Sequence, residues 1–373
     1  MTTRMGGTGI ASLILFLAPN QPLVAQPAVP AANRPPMVEI QGTQVRNLTS
    51  TIDGQEYKIY VALPPGYSDA SRQFPVLYLL DAQWDFPLVE GLVATQLQEA
   101  FVPRLVIVGI TWGGSNPNPS QLRMRDFTPT RGRLPQSGNA PNFLKFIKQQ
   151  LIPFVDANYR TTKDRTLMGH SAGGLFGLYA LFQEPELFNR YVVASPELMY
   201  DFPSLLSDEK QFSKKGSPGQ VRVFMSVGGL EGPKLPVFRE FSETFKTDHP
   251  EIKMETRIIE GEAHNSSQAD GYLEGLRSVY RPVSVVVAAR ILDRYVGKYT
   301  GPPGHPFEIV KEDGNLVFIA PEGARYALYA ESETDFAVRG LELVLHFKRD
   351  DAGRVTGFEG ERWTERHFNE RIR

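Results

Sequence analysis

The sequence contains no cysteine. That absence excludes disulfide bonds, thiolate nucleophiles and cysteine-ligated zinc together. A charge excess of one sign is also missing: 40 Lys and Arg stand against 42 Asp and Glu, a formal net charge of −2. No basic block and no basic–aromatic stripe is present, which argues against nucleic acid as a partner. Histidine is sparse. The 6 present, His170, His249, His264, His305, His346 and His367, form no His-Glu-x-x-His pattern and no close pair, so neither a metal nor another cofactor is expected. No apolar run is long enough for a transmembrane helix. What remains is an ordinary globular composition with ample apolar content for a core, over a length that allows two domains.

The first 25 residues read as an export signal. Arg4 supplies a positive start, Ile10 to Ala18 a short apolar stretch, and Leu23-Val24-Ala25 a cleavage site after Ala25. Residues 26–36, rich in proline and alanine, read as a linker. The expected location is therefore periplasmic or secreted.

From residue 37 to residue 283 apolar strands alternate with amphipathic helices. Gln44 to Ser50 and Tyr57 to Leu63 read as paired edge strands. Pro75 to Leu80 and Leu105 to Ile110 are continuous apolar runs, as expected of strands buried on both faces. Helices are predicted over Leu88 to Ala100, Asn142 to Ala157 (interrupted by Pro153), Ser204 to Phe212, Leu235 to Asp248 and Gln268 to Tyr280. Further strands are predicted at Tyr191 to Ser195, Val221 to Val227 and Lys253 to Ile259. Thr111 to Ala140 reads as a long polar loop. This rhythm predicts an α/β fold with a mostly parallel, doubly wound sheet. From about residue 290 to residue 373 helical periodicity stops. Short strand-like runs follow one another, with Asp313-Gly314 and Ala352-Gly353 as turn signals, and a small all-β domain is expected.

Gly169-His170-Ser171-Ala172-Gly173 follows the short apolar run Thr166 to Met168 and opens an apolar helical stretch, Gly174 to Phe182. Strand, sharp turn, helix is the setting in which Gly-x-Ser-x-Gly presents a nucleophilic serine. A serine hydroxyl needs a base, and the base an orienting carboxylate, in the chain order nucleophile, acid, base. His264 lies on the turn after the last predicted strand of the region, where the base belongs. Glu231 is the first carboxylate after the preceding strand and is the candidate acid. Glu197, after the strand ending at Ser195, is the alternative. An oxyanion hole needs two backbone N–H groups. Ala172, next to the nucleophile, and Gln83, in the turn after Leu80, are the candidates. Trp84, Trp112, Phe86 and Tyr200 are candidates to line a substrate pocket, with a place in the core the alternative for each.

These residues carry a resemblance. Residues 40 to about 283 resemble the putative-esterase family of α/β-hydrolases, which includes siderophore (enterochelin-type) esterases, S-formylglutathione hydrolases, some feruloyl esterases and mycolyltransferases. The resembling stretches are Phe74 to Asp81, Arg123 to Pro129, Gly169 to Gly174, Ser195-Pro196, Gly228 to Glu231, and His264. The resemblance implies an α/β-hydrolase fold, Ser171 as nucleophile, His264 as base, and the N–H groups of Gln83 and Ala172 as the hole. Ala82 stands where members often have glycine. The Arg125-Asp126 pair is expected to hold the long loop together. The region from Leu292 to Tyr299 onward resembles the small β domain appended to many bacterial serine hydrolases. The expected activity is hydrolysis of a small-molecule carboxylic ester through an acyl-enzyme. The alternatives are acyl transfer by the same residues, or a binding protein that retains the fold.

Overall fold

The apolar runs at the centre of the chain become the central strands of a mixed sheet. The computed structural model describes residues 39–132, 135–215, 221–281, 285–341, 343–362 and 365–372. The expected signal, residues 1–25, and linker, residues 26–36, lie outside the described residues. Strands β1 (Thr43–Thr49), β2 (Glu56–Ala62), β3 (Phe74–Leu79), β4 (Val106–Trp112), β5 (Thr161–His170), β6 (Arg190–Ala194), β7 (Arg222–Gly228) and β8 (Lys253–Ile259) assemble in the order β1-β2-β4-β3-β5-β6-β7-β8. The β1–β2 and β2–β4 pairs are antiparallel, and every later pair in this sheet is parallel.

Helices α1 (Ala82–Gln98), α2 (Pro119–Asp126), α3 (Ala140–Phe146), α4 (Ile152–Asn158), α5 (Ala172–Gln183), α6 (Phe202–Lys215), α7 (Lys234–Asp248) and α8 (Gln268–Val279) connect or flank these strands. In β3, Val76 and Tyr78 point to a core shared with α3 to α7, while Leu77 and Leu79 point to a second core shared with α1 and α8. That double burial explains why β3 and β4 read as unbroken apolar runs rather than alternating ones. It is the doubly wound α/β-hydrolase arrangement.

Two helices depart from their sequence reading, both at a proline. Helix α1 begins at Ala82 rather than Leu88 and runs through Pro87. Asp81, in the left-handed region at φ 54° and ψ 35°, turns the chain straight from β3 into the helix. Pro87 has no N–H, so one intrahelical bond is missing inside the helix. The helix expected over Asn142 to Ala157 is α3 and α4 joined by a π turn, Ile147–Leu151, just ahead of Pro153. The wider turn shifts the hydrogen-bond register at the point where proline offers no N–H. The loop expected from Thr111 to Ala140 contains α2, opened by Pro119 and capped by Asn118, whose side chain accepts from the Gln121 N–H at 3.2 Å.

After the short helix α9 (Ala289–Leu292) the remaining strands form a second sheet. They are β9 (Gly297–Tyr299), β10 (Phe307–Glu312), β11 (Asn315–Ile319), β12 (Arg325–Ala330), β13 (Asp335–Val338), β14 (Leu343–Arg349), β15 (Val355–Arg362) and β16 (Glu365–Glu370). Each pairs antiparallel with the next. The ends meet: the Thr300 N–H donates to Glu370 O and the Ile372 N–H to Lys298 O, both at 2.8 Å, with a Tyr299–Arg371 bridge between the first and last strands. These contacts join the ends of the first and last strands and bring the meander close to a small barrel. Tyr295, Tyr299, Phe318, Phe336, Phe347 and Phe358 fill it, with Tyr295 stacked on Phe347 at a ring separation of 4.0 Å.

Both sheets belong to one compact unit, Gln41–Arg373. Glu361 of β15 accepts from Arg72 at 2.6 Å and from Arg104 at 3.0 Å, two arginines that lie just ahead of β3 and β4 of the first sheet. Burial alone would raise the Glu361 carboxyl, but the two guanidinium groups outweigh it and hold it at about 2.

Candidate active site

β5 ends at His170, α5 begins at Ala172, and Ser171 makes the turn between them at φ 59° and ψ −118°. A non-glycine residue at positive φ is costly and persists where surrounding contacts fix it. Here the Ser171 N–H donates to Ala194 O at 2.9 Å, and the Ser171 carbonyl accepts from Leu175 at 3.0 Å and Glu197 at 3.1 Å. Of the neighbouring glycines, Gly169 is sterically required and Gly174 is tightly confined. A Cβ on Gly169 would lie 2.7 Å from the Gly173 backbone, and one on Gly174 would lie 3.1 Å from Ala194 O.

His264 lies between β8 and α8. Its Nε2 is 2.9 Å from Ser171 Oγ, and its Nδ1 is 2.7 Å from Glu231 Oε2. Glu231, on the turn after β7, also accepts at Oε1 from the Ser195 hydroxyl at 2.7 Å and from the Gly228 N–H at 2.8 Å. Burial works to raise this carboxyl. The donors from His264, Ser195 and Gly228 overcome it and hold Glu231 at about 2, so it is ionised throughout the neutral range. Glu197 does not reach the imidazole; its carboxylate pairs with Lys234 Nζ at 2.9 Å. Lys234 is also 3.4 Å from Glu231 Oε2, so it bridges the two carboxylates.

His170 occupies a variable position of the Gly-x-Ser-x-Gly pattern, and the pattern gives it no role. Its Nε2 donates to the His264 carbonyl at 2.7 Å, and the two rings lie 4.6 Å apart. Burial pushes His170 down to about 4, so the ring is neutral at pH 7; a carbonyl only accepts, which places the ring proton on Nε2. No local pattern assigns a role to Arg123 either. Its guanidinium grips Asp81 in bidentate fashion, Nε to Oδ1 at 3.0 Å and Nη2 to Oδ2 at 2.8 Å. The signal in the sequence is Asp81 directly after a continuous apolar run, with an arginine in the resembling stretch Arg123 to Pro129.

Ser171 and His170 open onto a cavity of about 270 Å³ walled by Asp81, Trp84, Asp85, Arg123, Asn265 and Gln268. Gln83 and Ala172 each stand in the first turn of a helix, where backbone N–H groups lack an intrahelical carbonyl. The two turns are adjacent: a Cβ on Gly173 would meet Leu80 and Asp81 at 3.5 Å. Of the aromatic candidates, Trp84 lies on the cavity wall and is half exposed. Trp112 is in the core, its indole N–H donating to Asp126 at 2.7 Å. Phe86 is buried against Tyr60 on the far face of the sheet. Tyr200 donates to Thr130 O at 3.0 Å and is not part of this cavity wall. Asp126 receives Arg125, Tyr57, Trp112 and Asn139, and so ties α2 to β2, β4 and the end of the long loop.

Residues 50–267, which include Ser171, Glu231 and His264, match the family model described as putative esterase. The ferri-bacillibactin esterase BesA of Bacillus subtilis is 32% identical over 211 residues, 52% of this chain and 72% of that protein. Among solved structures, the BES protein from Bacillus cereus superposes with a TM-score of 0.61 at 28% identity, covering 66% of this chain and 97% of its own. An IroE-like serine hydrolase from Shewanella oneidensis superposes with a TM-score of 0.58 at 26% identity, covering 68% and 85%. The chain belongs to the putative esterase family and is a carboxylic ester hydrolase with an α/β-hydrolase fold and an appended small β domain.

Proposed function

We propose that this hydrolase works through an acyl-enzyme formed on Ser171. The observation that carries the reading is the continuous hydrogen-bonded line Ser171 Oγ, His264, Glu231 at the carboxyl edge of the parallel strands. Ser171 Oγ attacks the ester carbonyl while His264 Nε2 takes its proton. The imidazolium so formed is stabilised by the ionised Glu231. The oxyanion receives the N–H groups of Ala172 and Gln83, at the positive ends of α5 and α1. His264 then returns the proton to the departing alcohol. Water, activated by the same imidazole, releases the acid and restores Ser171.

The substrate class we favour is the ester bonds of siderophores, because the relatives above include a ferri-bacillibactin esterase. We also propose export, since Arg4, the apolar stretch to Ala18 and the small residues before Ala25 form a signal pattern. Labelling by a fluorophosphonate probe, with Ser171→Ala as control, tests the nucleophile. Activity of Ser171→Ala within tenfold of the parent on a nitrophenyl ester overturns it, since such losses are on the order of 10⁴ to 10⁶. Hydrolysis of a ferric triester siderophore, assayed with and without an added acceptor alcohol, tests the substrate class and separates hydrolysis from acyl transfer. Amino-terminal sequencing of the mature protein tests cleavage after Ala25.

A further inference from the structure

The wall of the cavity beside Ser171 carries three charged groups that the mechanism above does not use, Asp81, Asp85 and Arg123; Arg123 pairs with Asp81 and not with Asp85. Asp85, in the first turn of α1, is 6% exposed and stands on the cavity wall. Its Oδ2 accepts from Gln268 Nε2 at 2.7 Å and from Tyr272 Oη at 2.8 Å, two residues of α8. Both donors fall on the same oxygen. Among the described residues no hydrogen bond reaches Oδ1. Oδ1 is instead accessible from the cavity, where a donor on a bound molecule can take the place of water.

The neighbouring charges do not cancel it. Asp81 is already matched by the bidentate Arg123. The Arg123 guanidinium also lies 3.4 Å from the His170 carbonyl, so it is committed on two sides. His170 is neutral at pH 7. The wall of this small cavity therefore carries two carboxylates and one guanidinium, with a net charge of −1 when Asp85 is ionised. Fields in a narrow, low-dielectric cleft act strongly on whatever enters.

We propose that Asp85 is a specificity determinant: it selects esters that place an ammonium or another hydrogen-bond donor in this cavity and rejects those that place an anion there. The inference rests on the serine-hydrolase reading of the site. Selection works in both directions. A donor gains a charge-assisted bond to Oδ1, while an anion meets an uncompensated carboxylate and loses its hydration without return.

The experiment uses two matched series of esters at pH 8 with the full chain. In one the acyl group ends in ammonium, methyl or sulfonate. In the other the same three groups end the alcohol, since either side of the ester can occupy the cavity. In at least one series the ammonium ester is expected to exceed the sulfonate ester in kcat/KM on the order of tenfold or more. Asp85→Asn keeps the shape and the acceptor for Tyr272 but removes the charge, and should bring that ratio within about threefold. A second readout needs no variant. Burial raises the Asp85 carboxyl to about 6, with Asp81 adding and with Tyr272, Gln268 and Arg123 opposing. Ammonium and sulfonate keep their charges between pH 5 and 8, so the ratio in the parent protein should shrink as pH falls through about 6. Arg123 keeps its charge across that range, and His170, held at about 4, does not titrate in it. Equal rates for ammonium and sulfonate esters in both series overturn the proposal, as does a preference that survives Asp85→Asn. Probe labelling of Ser171 and hydrolysis of the methyl-ended esters report separately on the underlying serine-hydrolase reading. If those fail, that reading is at fault; if they succeed and the charge ratio is flat, Asp85 alone is.

Discussion

The Nε2–H of His170 donates to the backbone carbonyl of His264 at 2.7 Å. One histidine thus fixes the loop that carries the other. The bond runs from the last residue of β5, on the elbow itself, to the loop after β8. It therefore sets the separation between the proposed nucleophile and the proposed base. Ser267, which donates from its hydroxyl to the same carbonyl at 3.3 Å, is the weaker second tie.

Replacing His170 by Ala should loosen that separation without touching Ser171, His264 or Glu231. Displacements of about 1 Å in a catalytic constellation cost up to about 100-fold. We expect kcat to fall by roughly 10- to 100-fold, with KM for a small nitrophenyl ester changing much less. Steady-state kinetics checks this, and unchanged kcat would show that the loop holds its position without the bond.

The same ring makes stability depend on pH. His170 is held at about 4 in the fold by burial and ordinarily titrates near 6.5. Between these values the unfolded chain binds more protons than the native one, so acidification through that window costs stability. Asp85, raised to about 6, acts in the opposite sense: the native state takes up its proton first, and acidification from about 6 to about 4 favours the fold. Glu231, held at about 2, contributes stability that is present above its ordinary value of 4.5 and is lost as pH falls toward 2. Urea midpoints measured from pH 7 to pH 4 should fall less steeply for His170→Gln than for the parent. Parallel slopes would remove His170 from the account.

The two candidate acids separate cleanly by mutation. Glu231→Gln retains acceptors for Ser195 and Gly228 but loses the charge facing His264 Nδ1, and kcat should fall by about 10³- to 10⁴-fold. Glu197→Gln removes one of the two carboxylates that Lys234 bridges and should cost less than about tenfold, as expected for a partly exposed ion pair. A reversed order of the two effects, measured on one ester under one set of conditions, would transfer the role to Glu197.

Much of this was legible because strong local patterns coincided with tertiary need. The apolar runs of β3 and β4, the turn signals near Asp313 and Ala352, and the strand–turn–helix around Ser171 each state their structure locally. What was missed has identifiable causes. Helix α2 is short, with only Leu122 and Met124 facing the core among polar residues, and hid within a long loop, although Asn118-Pro119 is a start signal. Strand β16, Glu365–Glu370, is mostly charged and exposed, and exists because β15 pairs with it. Strand β9 is only 3 residues long and starts at a glycine. The tie between His170 and His264 spans 94 residues of sequence, and no local pattern can announce it. Trp112 shows the converse limit, since an aromatic near a predicted strand end reads the same whether it faces a cavity or Asp126.

The β region should be separable from the hydrolase region, because the two share no strand. The hydrolase sheet ends at β1 and β8, and the ends of the second sheet meet at β9 and β16. Removing residues after Pro282 therefore breaks no ladder and exposes no new sheet edge. It does remove Glu361 from Arg72 and Arg104, and it uncovers the apolar surface around Leu97, Phe101 and Val102 that lines the cleft between the two sheets. A truncated chain ending at Pro282 is thus expected to fold, to label with a fluorophosphonate at Ser171, and to melt at a lower temperature than the full chain. Restoring polarity with Phe101→Ser should improve its solubility. If the truncated chain aggregates both with and without that change while the full chain stays soluble, the β region is an obligatory part of the fold rather than an appendage.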